Sequence, residues 1–453
     1  MTLKNLKYLL KTTALIIIFN WINPVSGQEV YDLSRVVITG LEQNFSVKVA
    51  RNREEIAENN LTKGNAGFLP TITTTNRVGG NVTSTTQNMN DGSQRKTNGV
   101  HNTTGSAAIN LDMPLFRGFS IQTTWQRLDE LKQVGELNTQ MTMENLVAQI
   151  VSGYYYHVQQ LNLYDNMKSA VELSKERARI DEERYLLGST SKLDLLQSIV
   201  YLNADSSRLA RQNEAILESA VRLKTLMALQ NLEEDIVLID TTINYNPKLS
   251  YEDLLESTLV NNTGLLIAKK NQVISELDYK VIASRAYPYV NFSTGYNYAY
   301  RGYGTGTISE YGEIALSNQQ SGTLNYGITL GMDIFDGFNR KREKTNALIE
   351  IENRVHQLQE IEQEVKADLL AFYYAYENNL RLVSMEEQNL AVARENLEIA
   401  VERYRLGALS GLELREVQRS LLEAEERLIT IRFQTKLAEI SLLQISGRIM
   451  EYV

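Results

Sequence analysis

The stretch Arg403-Tyr404-Arg405-Leu406-Gly407-Ala408-Leu409-Ser410-Gly411-Leu412-Glu413-Leu414 decides how this chain is read. It has a twin in Arg184-Tyr185-Leu186-Leu187-Gly188-Ser189-Thr190-Ser191-Lys192-Leu193-Asp194-Leu195. The copies keep one offset of 219 positions: 184 and 403, 188 and 407, 194 and 413. In each, a helical run meets a Gly, which takes the left-handed conformation that ends helices at little cost. Three residues later stands Ser191 or Ser410, a good N-cap, then Asp194 or Glu413 in the first turn of the next helix. Each copy reads as a tight tip between two helices, shaped by Gly188, Ser191, Gly407 and Ser410. A Gly-Ser turn alone is common. One repeated at fixed offset, with matching Arg-Tyr and acidic positions, is specific.

Outward from the tips the chain has no Pro between Pro114 and Pro247 and none after Pro288. Helix interiors exclude Pro, so Ser120–Leu187 and Asn339–Leu406 read as single helices, each on the order of 100 Å long. Returning helices follow from Ser191 to about Leu229 and from Leu412 to Gly447. In the last, Leu414, Val417, Leu421, Ala424, Leu428, Ile431, Ala438, Leu442 and Ile445 keep a 3,4 spacing broken only by Thr435. That is a coiled-coil seam, so the helix packs along its length.

Ahead of each long helix the period changes from helix to strand. Residues 33–66 and 251–286 read as helices ending at Leu69-Pro70 and Tyr287-Pro288. Strand-like stretches follow at 71–86 and 107–115, and again from Val290 and from Leu324. In the clearest, Leu324, Tyr326, Ile328, Leu330, Met332 and Ile334 alternate with Asn325, Gly327, Thr329, Gly331 and Asp333. The polar, Gly-containing segments 79–104 and 301–322 read as outer loops. Phe116-Arg117-Gly118-Phe119 and Phe335-Asp336-Gly337-Phe338 close the strands at the same 219 offset. The plan is one duplication: repeats 28–230 and 251–453, with tips near 188 and 407, joined by a linker at 231–250.

A strand apolar on one face and Gly/Thr/Asn on the other suits a wall between lipid and water. Tyr296, Tyr298 and Tyr300 lie beside the second polar loop, where interface aromatics would sit. Four strands per chain fall short of the roughly eight that the smallest transmembrane barrels use. An open edge is forbidden in lipid, so several chains must share a barrel.

The N-terminus has the pattern of a signal peptide over residues 1–27: Lys4, Lys7 and Lys11, a short apolar core, then Val25-Ser26-Gly27. Cysteine is absent from the 453 residues, and the three His stand apart. No catalytic cluster, cofactor motif or metal-ligand spacing is present, and a net charge of −9 argues against a nucleic-acid partner.

The tips and the duplicated plan resemble the TolC-like outer-membrane efflux proteins over nearly all of the chain after residue 27. The resemblance implies an α+β membrane protein, a homotrimer whose chains each give four strands to a twelve-stranded β-barrel in the lipid of a Gram-negative outer membrane. It further implies a coiled-coil α-helical tunnel extending into the periplasm. In such proteins acidic side chains at the second tip ring the pore mouth, and here Glu413 and Glu416 match. Asp194 and Tyr404 match two residues that latch neighbouring hairpins. A third latch position, usually basic, is Leu409. The implied function is a passive exit duct with an iris-like gate, not an enzyme. Its partners would be a periplasmic adaptor (membrane fusion) protein and an inner-membrane transporter of the RND, ABC or MFS type. The rival reading is a pore-less periplasmic coiled coil with a structural or adhesive role.

Overall fold

The computed structural model describes residues 30–304, 307–308, 312–313 and 317–453. The signal-peptide stretch 1–27 lies outside the described residues. Each half opens with broken helix. Where one helix was expected over residues 33–66 there are three: α1 (Leu33–Gln43), α2 (Phe45–Asn60) and α3 (Lys63–Ala66). The second half repeats the break, with α6 (Tyr251–Asn261) and α7 (Thr263–Ser284). An Asn makes one break in each half. Asn44 accepts the Ser46 amide at 2.8 Å and Asn262 that of Leu265 at 3.0 Å, so each side chain competes with the helix for a backbone donor. Their amides in turn donate to Leu226 O and Ile445 O, both at 2.9 Å, satisfying the last carbonyls of the two returning helices.

Long helices α4 (Ser120–Leu186) and α8 (Asn339–Arg405) have 67 residues each, and returning helices α5 (Lys192–Leu226) and α9 (Gly411–Ile445) have 35 each. The seam of α9 is buried at Leu414, Ala424, Leu428, Ile431, Ala438 and Leu442. Thr435, its polar break, is also fully buried, and its hydroxyl donates to Ile431 O at 2.8 Å, so no polar group is orphaned there. No described helix is long and apolar enough to cross a membrane.

The chain forms two compact units. One comprises residues up to Arg51, Asn138–Leu266 and Ile361–Val453. Its main core gathers Val36, Val47, Ile150, Tyr154, Leu223 and Met227. A short parallel pair, β1 (Val30–Tyr31) with β4 (Val237–Leu238), ties the expected linker 231–250 to the start of the described chain. That linker is anchored elsewhere too. Lys224 Nζ donates to Glu234 O at 2.8 Å, Glu439 accepts the Asn246 amide at 3.1 Å, and Tyr376 donates to Asn246 O.

The other unit, Asn52–Leu137 with Ile267–Glu360, carries the main sheet. Its long strands are β2 (Thr71–Asn88), β3 (Gln94–Arg117), β5 (Tyr289–Tyr303) and β8 (Ser317–Gly331), in antiparallel order β2-β3-β5-β8. Short β6 (Thr307–Ile308) and β7 (Gly312–Glu313) add to the outer end of β3.

Here the sequence reading needs correction. Most of the expected loop 79–104 is ladder, paired from Gly79 with Thr104 out to Asn88 with Gln94 and turned at Gly92 (φ +84°). The expected loop 301–322 likewise shrinks, because Tyr303 pairs with Ser317. Both segments are polar on the two faces, so they carry no apolar alternation. A hairpin register satisfies their backbone regardless, and Thr favours it. At the other end β8 stops at Gly331, so Met332 and Ile334 lie beyond the strand to which their alternation assigned them.

Candidate functional site at the helix tips

Both tips close by one backbone device. At the first, the Gly188 amide (φ +74°) donates to Tyr185 O at 3.0 Å and the Ser189 amide to Arg184 O at 2.8 Å. At the second, Gly407 (φ +75°) donates to Tyr404 O at 2.9 Å and Ala408 to Arg403 O at 2.8 Å. These are Schellman pairs, and they need the left-handed residue that Gly supplies. A capping box then opens each returning helix. Ser191 Oγ accepts the Asp194 amide at 3.2 Å and donates to Asp194 Oδ2 at 2.7 Å. Ser410 and Glu413 repeat this at 3.2 and 2.7 Å. Hydrogen bonds from Ser191 and Thr190 hold the Asp194 carboxyl below its usual range, and those from Ser410 do the same for Glu413. Glu416 is exposed and pairs with Arg419 at 2.6 Å.

The two expected latch residues are not brought together. Asp194 is turned into its own cap, whereas the buried Tyr404 hydroxyl donates to Asp181, one helix earlier. Leu409, at the third latch position, packs with Tyr404, Ala400 and Leu414 as part of an apolar cluster. Burial and the Asp181 hydrogen bond push the Tyr404 phenol up to about 12. Arg184 stacks its guanidinium 4.7 Å from the Tyr404 ring centre and donates to Tyr404 O. That carbonyl belongs to the last turn of α8, where a cation also meets the negative end of the helix dipole.

One and two turns behind lies a second layer that the sequence reading missed. Arg177 is only 6% exposed; its Nε is 3.7 Å from Asp181 Oδ2 and its guanidinium lies 5.2 Å from the Tyr201 ring centre. Arg415 covers the same ring at 5.0 Å and grips Asp205 with two hydrogen bonds, 2.7 and 2.8 Å. Ser174 completes the group, donating to Asp205 at 2.5 Å. Burial alone would raise the Asp205 carboxyl, but the bonds from Arg415 and Ser174 outweigh it and hold the group low. Gly411 opens α9 here because Arg177 lies against it: a Cβ at 411 would stand 2.7 Å from Nη2. One signal in the sequence marks this lock. Arg177, Asp181 and Asp205 have Asn396, Ala400 and Ala424 at the 219 offset, and Arg415 has Leu196.

Around the lock the tips remain apolar and open: Leu186, Leu187, Leu193, Leu406 and Leu412 are all exposed. In the sheet, Tyr296, Tyr298 and Tyr300 stand on one face of β5. Tyr296 is in register with Ile109 and Leu324, Tyr298 with Ala107 and Gly322, and Tyr300 with Gly105 and Gln320. On that same face Leu324, Tyr326, Ile328 and Leu330 form an exposed apolar row along β8. The opposite face carries Asn325, Gly327 and Thr329 of β8 beside Asn291, Ser293 and Gly295 of β5.

Comparison with known proteins follows the same lines. Residues 254–448 match the family model described as outer membrane efflux protein. The second half of the chain therefore carries an outer membrane efflux protein domain. The chain is 22% identical over 406 residues to nodulation protein T of Rhizobium leguminosarum bv. trifolii, covering 86% of this chain and 79% of the other. Its fold is that of CusC, at a TM-score of 0.73 with 14% identity and 93% of each chain covered. It also matches the Campylobacter jejuni CmeC outer membrane channel, at 0.70 with 16% identity, over 92% of this chain and 85% of that one. The matched family model is one of outer-membrane proteins.

Proposed function

We propose that three copies of this chain close their sheets into one twelve-stranded barrel and form an outer-membrane exit duct for efflux. The observation that carries this is the four-stranded antiparallel sheet. One face bears an apolar row, the other is polar, and the outer edges of β2 and β8 lack partners among the described residues. In lipid an unpaired edge leaves a row of unsatisfied amides and carbonyls, so β8 of one copy pairs with β2 of the next. The helical hairpins then enclose a tunnel through the periplasm.

At the tunnel mouth the exposed leucines of the two tips offer an apolar surface to a periplasmic adaptor. An inner-membrane transporter of the RND, ABC or MFS type behind that adaptor supplies the energy. Glu413 and Glu416 ring the mouth, a cation-favouring field in a narrow pore. Opening swings the α8–α9 hairpin away from the α4–α5 hairpin. That movement must break the Tyr404–Asp181 bond, the Arg184 contact to Tyr404 O and the Arg415–Asp205 pair.

Conductance in planar lipid bilayers tests the reading. The purified protein should give discrete cation-selective channels, and Glu413→Ala with Glu416→Ala should reduce that selectivity. Unchanged conductance and selectivity in the double variant would remove the acidic ring from the mechanism. A protein that forms no channel and washes from membranes in alkaline carbonate would instead be the pore-less coiled coil.

A further inference from the structure

The sheet meets the long helices at two corners of the same build. In Phe116-Arg117-Gly118-Phe119 and Phe335-Asp336-Gly337-Phe338, both the Gly and the last Phe have positive φ: +56° and +69° in the first, +68° and +63° in the second. A left-handed Phe is strained backbone. The rings of both left-handed residues, Phe119 and Phe338, are exposed. Phe335 and Phe338 are 72% and 70% exposed, edge to face at 5.3 Å, and Phe116 and Phe119 meet the same way at 5.2 Å. At the second corner they continue the exposed apolar row of β8 through Met332 and Ile334.

Beyond the corners the two copies diverge. After the first comes Ser120-Ile121-Gln122-Thr123-Thr124-Trp125, without charge. After the second comes Asn339-Arg340-Lys341-Arg342-Glu343-Lys344. Cations in the first turn of a helix oppose its dipole, and the one acid at this helix start, Asp336, is taken up by Arg340: it accepts the Arg340 amide at 2.8 Å and lies 4.0 Å from Nε. Arg340 is occupied, donating to Arg285 O at 2.9 Å and Asp333 O at 3.2 Å. Glu343 is held by Arg285 at 2.8 Å and approaches Arg342 only at 4.0 Å. Among the described residues Lys341 has no ion-pair partner. Lys341 and Arg342 are exposed, three and four residues after Phe338, whose carbonyl accepts the Arg342 amide at 3.1 Å and so begins the helix that carries both.

We propose that the second corner is a contact site for anionic phospholipid headgroups: Phe335 and Phe338 seat in the interfacial layer, and Lys341 and Arg342 take the phosphates. Aromatic rings and basic side chains at the end of an apolar surface are what a phosphate-bearing interface attracts. The headgroup charge also meets Lys341 and Arg342, which Asp336 leaves without a carboxylate of their own. This rests on reading the sheet as membrane-spanning, and it adds a lipid selectivity that a barrel wall does not require.

Native mass spectrometry of the full chain in a neutral detergent tests it, titrating phosphatidylglycerol against phosphatidylcholine. The wild type should retain phosphatidylglycerol preferentially. Lys341→Gln with Arg342→Gln should weaken that preference by about fivefold per cation while leaving the oligomer intact. The transplant Gln122→Lys with Thr123→Arg should add phosphatidylglycerol binding at the first corner. Inorganic phosphate at matching concentration should displace neither. Equal retention of the two lipids, or a double variant indistinguishable from wild type, would overturn the headgroup site alone. A protein that carbonate strips from membranes would overturn the membrane reading and this site together.

Discussion

The two tips share a backbone and differ in their surroundings. Each ends in a Schellman pair at a left-handed Gly and restarts with a Ser–acid capping box. Yet Tyr185 is 39% exposed, whereas its counterpart Tyr404 is 3% exposed and bonded to Asp181. Arg184 reaches the opposite hairpin, whereas Arg403 reaches only Ala408 O of its own turn, at 3.5 Å. The lock is therefore one-sided. The first hairpin supplies Arg177, Asp181, Tyr201 and Asp205, and the second supplies a phenol and one arginine. Duplication preserved the turn, and the two copies then took different parts in holding the hairpins together.

The comparison breaks most sharply at Asp205. Asp205→Ala leaves the Arg415 guanidinium without its carboxylate in a nearly closed site, which costs about 3–5 kcal/mol. Hydrogen exchange should accelerate around 174–205 and 411–419, well beyond any change caused by Ala424→Ser at the equivalent buried seam position. Equal effects in both hairpins would abolish the claimed asymmetry.

Tyr404→Phe comes next, at about 1–3 kcal/mol, because it strips a donor from a buried carboxylate. Tyr185→Phe should do nothing measurable in the same thermal unfolding experiment.

The lock also has two pH limits. Asp205 titrates low in the folded chain, so its contribution is complete above the ordinary carboxylate range and fades as pH falls below about 4. Tyr404 titrates high, so its contribution is complete below about pH 10 and fades toward 12. Tip protection followed by exchange across that range should be flat between the limits. Asp205→Asn should remove the acid limb and Tyr404→Phe the alkaline one.

The smallest effects test what the tips share. Gly188→Ala and Gly407→Ala meet no neighbour within 4 Å, so each loses only the left-handed preference, about 1 kcal/mol. Ser191→Ala and Ser410→Ala should each cost about 1 kcal/mol. Paired thermal melts should give near-equal losses within each pair, and unequal ones would show that the lock reaches into the turn.

Legibility followed the range of the interactions. The long helices, the tips and the apolar strand faces were readable because Pro exclusion, Gly and Ser chemistry and side-chain periodicity act over a few residues. The polar hairpin 79–104 was not, because its ladder rests on a cross-strand register that no alternation announces. Asp194 was read both as the first-turn acid after Ser191 and as a latch residue; it lies in the cap, and Asp181, thirteen positions earlier, holds Tyr404. The mismatch between Arg177, Asp181 and Asp205 and their small or neutral counterparts was visible in the repeat. What it meant depended on which helix face met which.

The sequence by itself determined the duplicated plan, the lengths of the four tip helices, both turns and their caps, since each depends on local backbone preference. Only the tertiary structure decided that Tyr404 pairs with Asp181 and Arg415 with Asp205. Those partners stand 223 and 210 positions apart. They meet because the hydrophobic seams set the order and rotation of four helices, and a seam leaves open which polar groups it will bring face to face.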